Sequence, residues 1–336
     1  MKAAAIPGAL ACLAPICLAP ICLASSAARA EGSSDKPAFT LVTENDSFIS
    51  ISGDRHYTNG IYFSWTSAGR PQAQSLAQYL MLPGARRAEW RTGYFLGQAI
   101  FTPENLKAFV PPAGDRPYAG WLFGGTRLYR DSGEVLDKVE MTLGLVGPAA
   151  LGSDVQKAWH AAFIPGAAHP NGWHGQLRDE PGLVLNEQRI WRLRLPGGPL
   201  QVEALPQANI SLGNIYDYVG AGGMVRFGQN LAADWGPARI APALQGSDFQ
   251  RVDSFAWYVY GGGELRAVAR NLFLDGSSFH TGPHVAKKAL VGDLNAGAAL
   301  LFAHLRVTAG YTRRSAEFRG QNGDDEIGSI AVSFIP

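Results

Sequence analysis

The sequence predicts an all-β fold: a transmembrane antiparallel β-barrel of about twelve strands, with a short helix on an extracellular loop. Three observations predict it. The 336 residues include 40 Gly, 8 Trp, 11 Tyr and 16 Phe, a composition typical of outer-membrane barrels. Segments of eight or more residues alternate apolar with small or polar side chains, the period of a strand with two unlike faces. Beyond the N-terminus no run is long enough for a spanning helix, which needs ~20 apolar residues.

The N-terminus sets the compartment. Lys2 opens an apolar run from about Ala3 to Ala24, and Ala28-Arg29-Ala30 forms a small-x-small cleavage site before Glu31. Residues 1–30 therefore read as a signal peptide and 31–336 as the barrel domain. Pro7, Pro15 and Pro20 interrupt the run and argue against a retained anchor. All three cysteines (Cys12, Cys17, Cys22) fall inside it, so the mature chain is expected to have no disulfide and no thiolate metal ligand. Of 29 basic residues, removal of Lys2 and Arg29 leaves 27 against 28 acidic ones, so no nucleic-acid partner is expected.

Strands are expected at 39–45, 58–68, 91–101 and 118–130. The clearest follows Asp131-Ser132-Gly133, with Val139, Met141, Leu143 and Leu145 alternating with Lys138, Glu140, Thr142 and Gly144. Further strands are expected at 184–195, 200–212, 216–228, 255–270, 291–302, 305–316 and 327–335. Pro103, Pro111, Pro112 and Pro117 make 102–117 a loop. Ser153-Asp154-Val155-Gln156 has the form of a capping box, and Val155, Trp159 and Ala162 recur at helical spacing up to Pro165. With a periplasmic N-terminus, the tight turns at 131–133 and 196–199 fall on the periplasmic side, where short turns belong. The connectors 69–90 and 229–254 are too long for that register.

Candidate chemistry collects at one end of the first hairpin. Asn45 and Asp46 end one strand and Thr58 begins the next, so the connecting loop brings all three to the same end. Asn, Asp and Ser are also ordinary turn residues. Gln156 and His160 lie one helical turn apart. A histidine facing an acidic residue across a barrel mouth suits a general base for ester hydrolysis, although His160 can equally be a surface histidine and Gln156 a capping residue. Asp46, Asn45, Thr58 and loop carbonyls could give a hard cation such as calcium some of its oxygen ligands. His56 and Thr58 form a second arrangement of base and hydroxyl. Neither GxSxG nor HExxH occurs.

These residues also carry a resemblance. Glu44-Asn45-Asp46, Asp54-Arg55 with Tyr57-Thr58-x-Gly60, Gln98-x-x-Phe101-Thr102-Pro103 and Gly114-Asp115-Arg116-Pro117-Tyr118 are similar to motifs of the outer-membrane lipid A 3-O-deacylases. Gln156-x-x-x-His160, Gly172-Trp173-x-x-Gln176, Glu180-Pro181 and Glu317-Phe318-x-Gly320-Gln321 extend the resemblance over nearly the whole mature chain. It implies a twelve-stranded barrel with a calcium-dependent site at its outer rim, made of Asn45, Asp46, Thr58, Lys107, Gln156 and His160. It also implies hydrolysis of the 3′-linked acyloxyacyl ester of lipid A, a lipopolysaccharide partner in the outer leaflet of the bacterial outer membrane, and a monomer. The family's acidic residue after the histidine has no counterpart near Gly166, and Asp179 or Glu180 are the nearest substitutes. The rival readings are a non-catalytic porin or lipopolysaccharide-binding barrel, and a serine-type outer-membrane phospholipase.

Overall fold

The computed structural model describes residues 37–49, 55–67, 88–163, 169–195, 198–249 and 255–336. The expected signal peptide, most of the first long connector, part of the turn at 196–199 and the neighbourhood of Gly166 lie outside the described residues. The strands are β1 (Ala38–Asn45), β2 (His56–Thr66), β3 (Glu89–Thr102), β4 (Ala119–Asp131), β5 (Val135–Val146), β6 (Glu180–Trp191), β7 (Leu193–Leu195), β8 (Gln201–Gly213), β9 (Tyr216–Gln229), β10 (Ala256–Asn271), β11 (Leu290–Phe302), β12 (Leu305–Arg314) and β13 (Asp325–Phe334). Neighbours pair antiparallel, β1 closes on β13, and β6 pairs with β8. Twelve long strands thus form a closed barrel, with β7 a three-residue addition on β8.

The expected strand 184–195 is corrected in two ways. It starts earlier, at Glu180, and it breaks at Arg192. There the backbone N–H turns to the Glu134 carbonyl, and the guanidinium stacks 3.8 Å over the Trp235 ring. A cation drawn to the lumen side interrupts the ladder.

The barrel is polar inside and apolar outside. Leu41, Phe63, Leu96, Leu143 and Leu185 are exposed on the outer face, while Thr40, Ser64, Arg127, Glu140 and Arg226 are buried on the inner one. That inversion of a soluble core suits a wall facing lipid. At the periplasmic end Gly133, at φ +85°, completes the β4–β5 turn, where Ser132 N–H donates to the Val135 carbonyl at 3.0 Å.

The long connector between β9 and β10 fills the lumen. Near the periplasmic end, Asp234 binds Arg226, accepts from Arg306 at 3.1 Å and accepts from the Tyr258 hydroxyl at 2.9 Å. At the opposite end Arg239 pairs with Glu44 and donates to Thr312 Oγ1 at 2.7 Å. The segment then returns, and Asp248 accepts from Tyr62 at 2.5 Å and pairs with Arg127. Trp235, Leu244 and Phe249 are buried among Tyr129, Leu205 and Met224. Its length therefore serves an inward excursion, which removes the objection to the register for this connector, while the other, 69–90, lies mostly outside the described residues.

Helix α1 (Gly152–Phe163) follows β5 as expected, and a helical turn, α2 (Leu272–Asp275), follows β10.

Candidate functional site

The β1–β2 register fixes the first part of the site. Asn45 stands directly opposite Asn59, as the hairpin reading requires. Asn45 caps the 3₁₀ turn Asp46–Phe48: its Oδ1 accepts from Ser47 N at 2.8 Å and from the Ser47 hydroxyl. Asp46 is buried, and its Oδ2 accepts from Arg55 N at 2.5 Å. That bond draws the entry of β2 against the end of β1.

A bulge in β2 shapes the second part of the corner. The β2–β3 register shifts between Tyr57 and Asn59. Tyr57 points inward, its hydroxyl donating to Glu44 at 3.0 Å. Gly60 also faces inward, where a Cβ would meet the Tyr57 hydroxyl and Ile240. Two residues between two inward positions leave both Thr58 and Asn59 on the outer face. Thr58 Oγ1 lies 2.7 Å from Thr102 Oγ1 on β3.

Helix α1 packs on that outer face. Its first residue sits against the wall because both contacts are glycine: a Cβ on Gly120 would lie 3.1 Å from Gly152 N. Val155 packs on a buried cluster of Ile100, Leu106, Tyr118 and Trp173. Gln156 is buried and accepts from the Trp173 indole at 2.8 Å, so it ties the helix to the 169–179 loop. One turn later His160 is also buried. Its neighbour Trp159 packs tilted against Phe163, with ring centroids 4.6 Å apart, and reaches to 6.3 Å from the Phe48 ring. The C-terminal half of α1 therefore meets the turn that carries Asp46.

The structure thus gathers Asn45, Asp46 and Thr58 at one rim corner and brings the helix of Gln156 and His160 to it. Lys107 stands exposed on the 103–117 loop, its carbonyl held by Asn171 Nδ2 at 3.2 Å. Asp179 and Glu180 are engaged elsewhere. Asp179 Oδ1 accepts from Ala149 N at 2.8 Å, while Glu180 accepts from Ser277 Oγ at 2.7 Å and Ser278 N at 2.9 Å. The pairing of His56 with Thr58 as base and nucleophile is not formed. His56 Nδ1 lies 2.6 Å from Asp325 Oδ1, and its Nε2 lies 3.7 Å from Asp115 Oδ1. Burial pulls the imidazole pKa down, but the pairings with Asp115 and Asp325 outweigh it and hold it above the usual value. Asp115 in turn is held below the usual carboxylate range: burial would raise it, and His56 with the N–H groups of Glu104 and Arg116 prevails.

Sequence reasoning passed over three parts of this corner. Asn59 falls on the outer side in step with Ile61 and Phe63, and only the bulge, which turns Thr58 out beside it, makes it part of the corner. Phe48 and Trp159 carried a readable signal, two large apolar residues beside the polar candidates.

The donor set fits a hard cation in kind. Asp46 and Thr58 offer oxygen, which suits calcium. Asn45 Oδ1 accepts from Ser47 in this structure and would have to exchange those bonds for a cation, and one carboxylate among them leaves carbonyls and water to complete the shell. Among the described residues no three His, Cys, Asp or Glu side chains gather in metal-holding geometry.

Known proteins share this architecture. The family described as Outer membrane protein LpxR matches residues 13–335. The solved structure of LpxR from Salmonella typhimurium superposes with a TM-score of 0.74 at 18% identity, covering 88% of this chain and 99% of that one. The β domain of the Bordetella autotransporter BrkA aligns at a TM-score of 0.44 and 10% identity, over 89% of this chain and 98% of that one. No curated protein matches the chain. The chain belongs to the LpxR family of bacterial outer-membrane proteins, the lipid A deacylase family that its motifs resemble.

Proposed function

We propose that the protein hydrolyses the ester of the 3′-linked acyloxyacyl group of lipid A. One observation carries this reading: the polar corner lies on the outer wall of the barrel beneath α1, next to exposed Phe48 and Phe163, and not in the lumen. An ester carried by a lipid of the outer leaflet meets the barrel on that side.

His160 takes a proton from water as the water oxygen bonds to the ester carbonyl carbon, and the carbonyl π electrons move onto oxygen. Collapse expels the sugar 3′-oxygen, which recovers the proton from His160. The products are a free acyloxyacyl acid and a 3′-hydroxyl. Gln156, anchored by Trp173, keeps the helix and hence His160 in place. Calcium held by Asp46 and Asn45, with Thr58 nearby, would supply positive charge to the developing oxyanion. Lys107, exposed on the 103–117 loop, is suited by its charge to a lipid A phosphate or to the same oxyanion.

The rival readings find less support. A segment paired to the wall at both ends of the lumen does not suit a porin. A serine-type phospholipase needs a serine on a histidine, and Ser47 donates instead to Asn45. Mass spectrometry of lipid A from a host expressing the wild type or His160→Ala, with and without calcium chelation, tests the proposal. Loss of an acyloxyacyl unit only with wild type and calcium supports it. Unchanged lipid A in all samples, from protein folded in the membrane, overturns it.

A further inference from the structure

Asn59 is the least explained side chain of the rim. It is 1% exposed, so neither water nor lipid solvates it. Neither its Nδ2 nor its Oδ1 has a hydrogen-bond partner. A buried primary amide with both ends unsatisfied destabilises a fold, and native structures keep such groups rarely and at sites that use them. Its place is equally specific. It lies on the outer face in step with Ile61 and Phe63, the β2 bulge turns Thr58 to the same face beside it, and the β1 register sets it opposite Asn45. Asn45 does not satisfy it through its carbonyl, which Ser47 already occupies. On the same face Thr43, two residues before Asn45, also carries a buried hydroxyl without a partner.

We propose that Asn59 is a further catalytic residue, whose amide binds the scissile ester directly; this rests on the reading of the protein as a lipid A deacylase. Its Nδ2–H donates to the ester carbonyl oxygen and strengthens that bond as the oxygen gains charge during attack. Its Oδ1 accepts one hydrogen of the attacking water while the other passes to His160. No bond to Asn59 forms or breaks, so the proton balance of the hydrolysis is unchanged. Ile100, the β3 partner of Asn59, belongs to the buried cluster on which Val155 of α1 packs, so the ester reaches the amide by parting the helix from the wall.

The test compares wild type with Asn59→Leu and Asn59→Asp in detergent micelles with lipid A, measuring kcat, KM and unfolding temperature. Leu keeps the volume and removes the polar atoms, while Asp keeps the shape and removes the donor. A kcat lower by about a hundredfold to a thousandfold in both variants, with little change in KM, is expected for a donor to the oxyanion. Asn59→Leu should also unfold at a higher temperature than wild type, because it relieves an unsatisfied amide. A purely structural asparagine would give the opposite sign. Kcat within about threefold of wild type in either variant, or a loss of kcat accompanied by a lower unfolding temperature in Asn59→Leu, overturns the assignment. A wild type that leaves lipid A intact removes the parent reading and this one with it, whereas an active wild type beside active variants removes this one alone.

Discussion

At the scale of single residues, His56 shows how the outer rim is tied. The imidazole joins Asp325 after β12 to Asp115 of the 103–117 loop, and Arg55 beside it pairs with Glu104 at 2.9 Å. Its pKa lies above the usual value, so the folded rim binds that proton more tightly than the unfolded chain does. This stabilisation is fully present below the unfolded value of about 6.5 and is lost as pH rises through the folded value. Hydrogen exchange in the loops around 115 and 325 should therefore quicken from pH 6 to pH 9 in wild type, beyond the intrinsic chemical rate. In His56→Gln that excess should disappear; an identical excess in the variant would exclude His56 as its source. Ser47→Ala should leave turnover of lipid A within about threefold, since the hydroxyl serves a cap, and caps contribute ~1 kcal/mol to stability.

The helix seat is the decisive feature at the scale of elements. A side chain at Gly152 would meet the Trp173 ring at 2.8 Å and Gly120 Cα at 3.0 Å. Gly152→Val should lift α1 from the wall and lower activity at least tenfold, while the barrel keeps its resistance to unfolding in cold detergent on a gel. Activity equal to wild type would show that the close seat is not needed. Elements were also where the sequence was most and least legible. Alternating runs located the long strands within a few residues, and 3.6-residue spacing located α1, because both patterns are written in local side-chain order. The bulge at Thr58 and Asn59 left no such trace, since one extra residue alters which face is outward without altering composition. The connector 229–254 looked irregular because most of its partners, Arg306, Glu44 and Arg127, are far away in the chain. Of the site, the cluster Asn45, Asp46 and Thr58 and the pair Gln156 and His160 could be located from sequence, but the burial of Asn59 and the engagement of Glu180 by Ser277 could not.

For the whole molecule, the filled lumen separates this barrel from a channel. Asp234 holds three partners from β9, β10 and β12. Asp234→Ala should cost about 3–5 kcal/mol, the usual penalty for removing one partner of a buried ion pair, here the carboxylate paired with Arg306 and one of the two paired with Arg226, measured as a lower midpoint in urea. The same variant should retain much of its lipid A turnover where it is folded, because the plug and the outer corner lie on opposite faces of the wall. Wild-type protein in planar bilayers should show no steady conductance, and steady single-channel steps would contradict the occlusion.

The seam between β1 and β13 has a consequence for biogenesis. Asn45 pairs at once with Asn59 and with Gly328, and Phe48 and Ile49 rest on Gly328, where even a Cβ would clash. The first and last strands of the chain must therefore meet before the 46–48 turn has its support. A precursor with that seam still open lacks the rim corner proposed as the site. Under the proposed function, lipopolysaccharide meets a formed site only on the inserted and closed barrel.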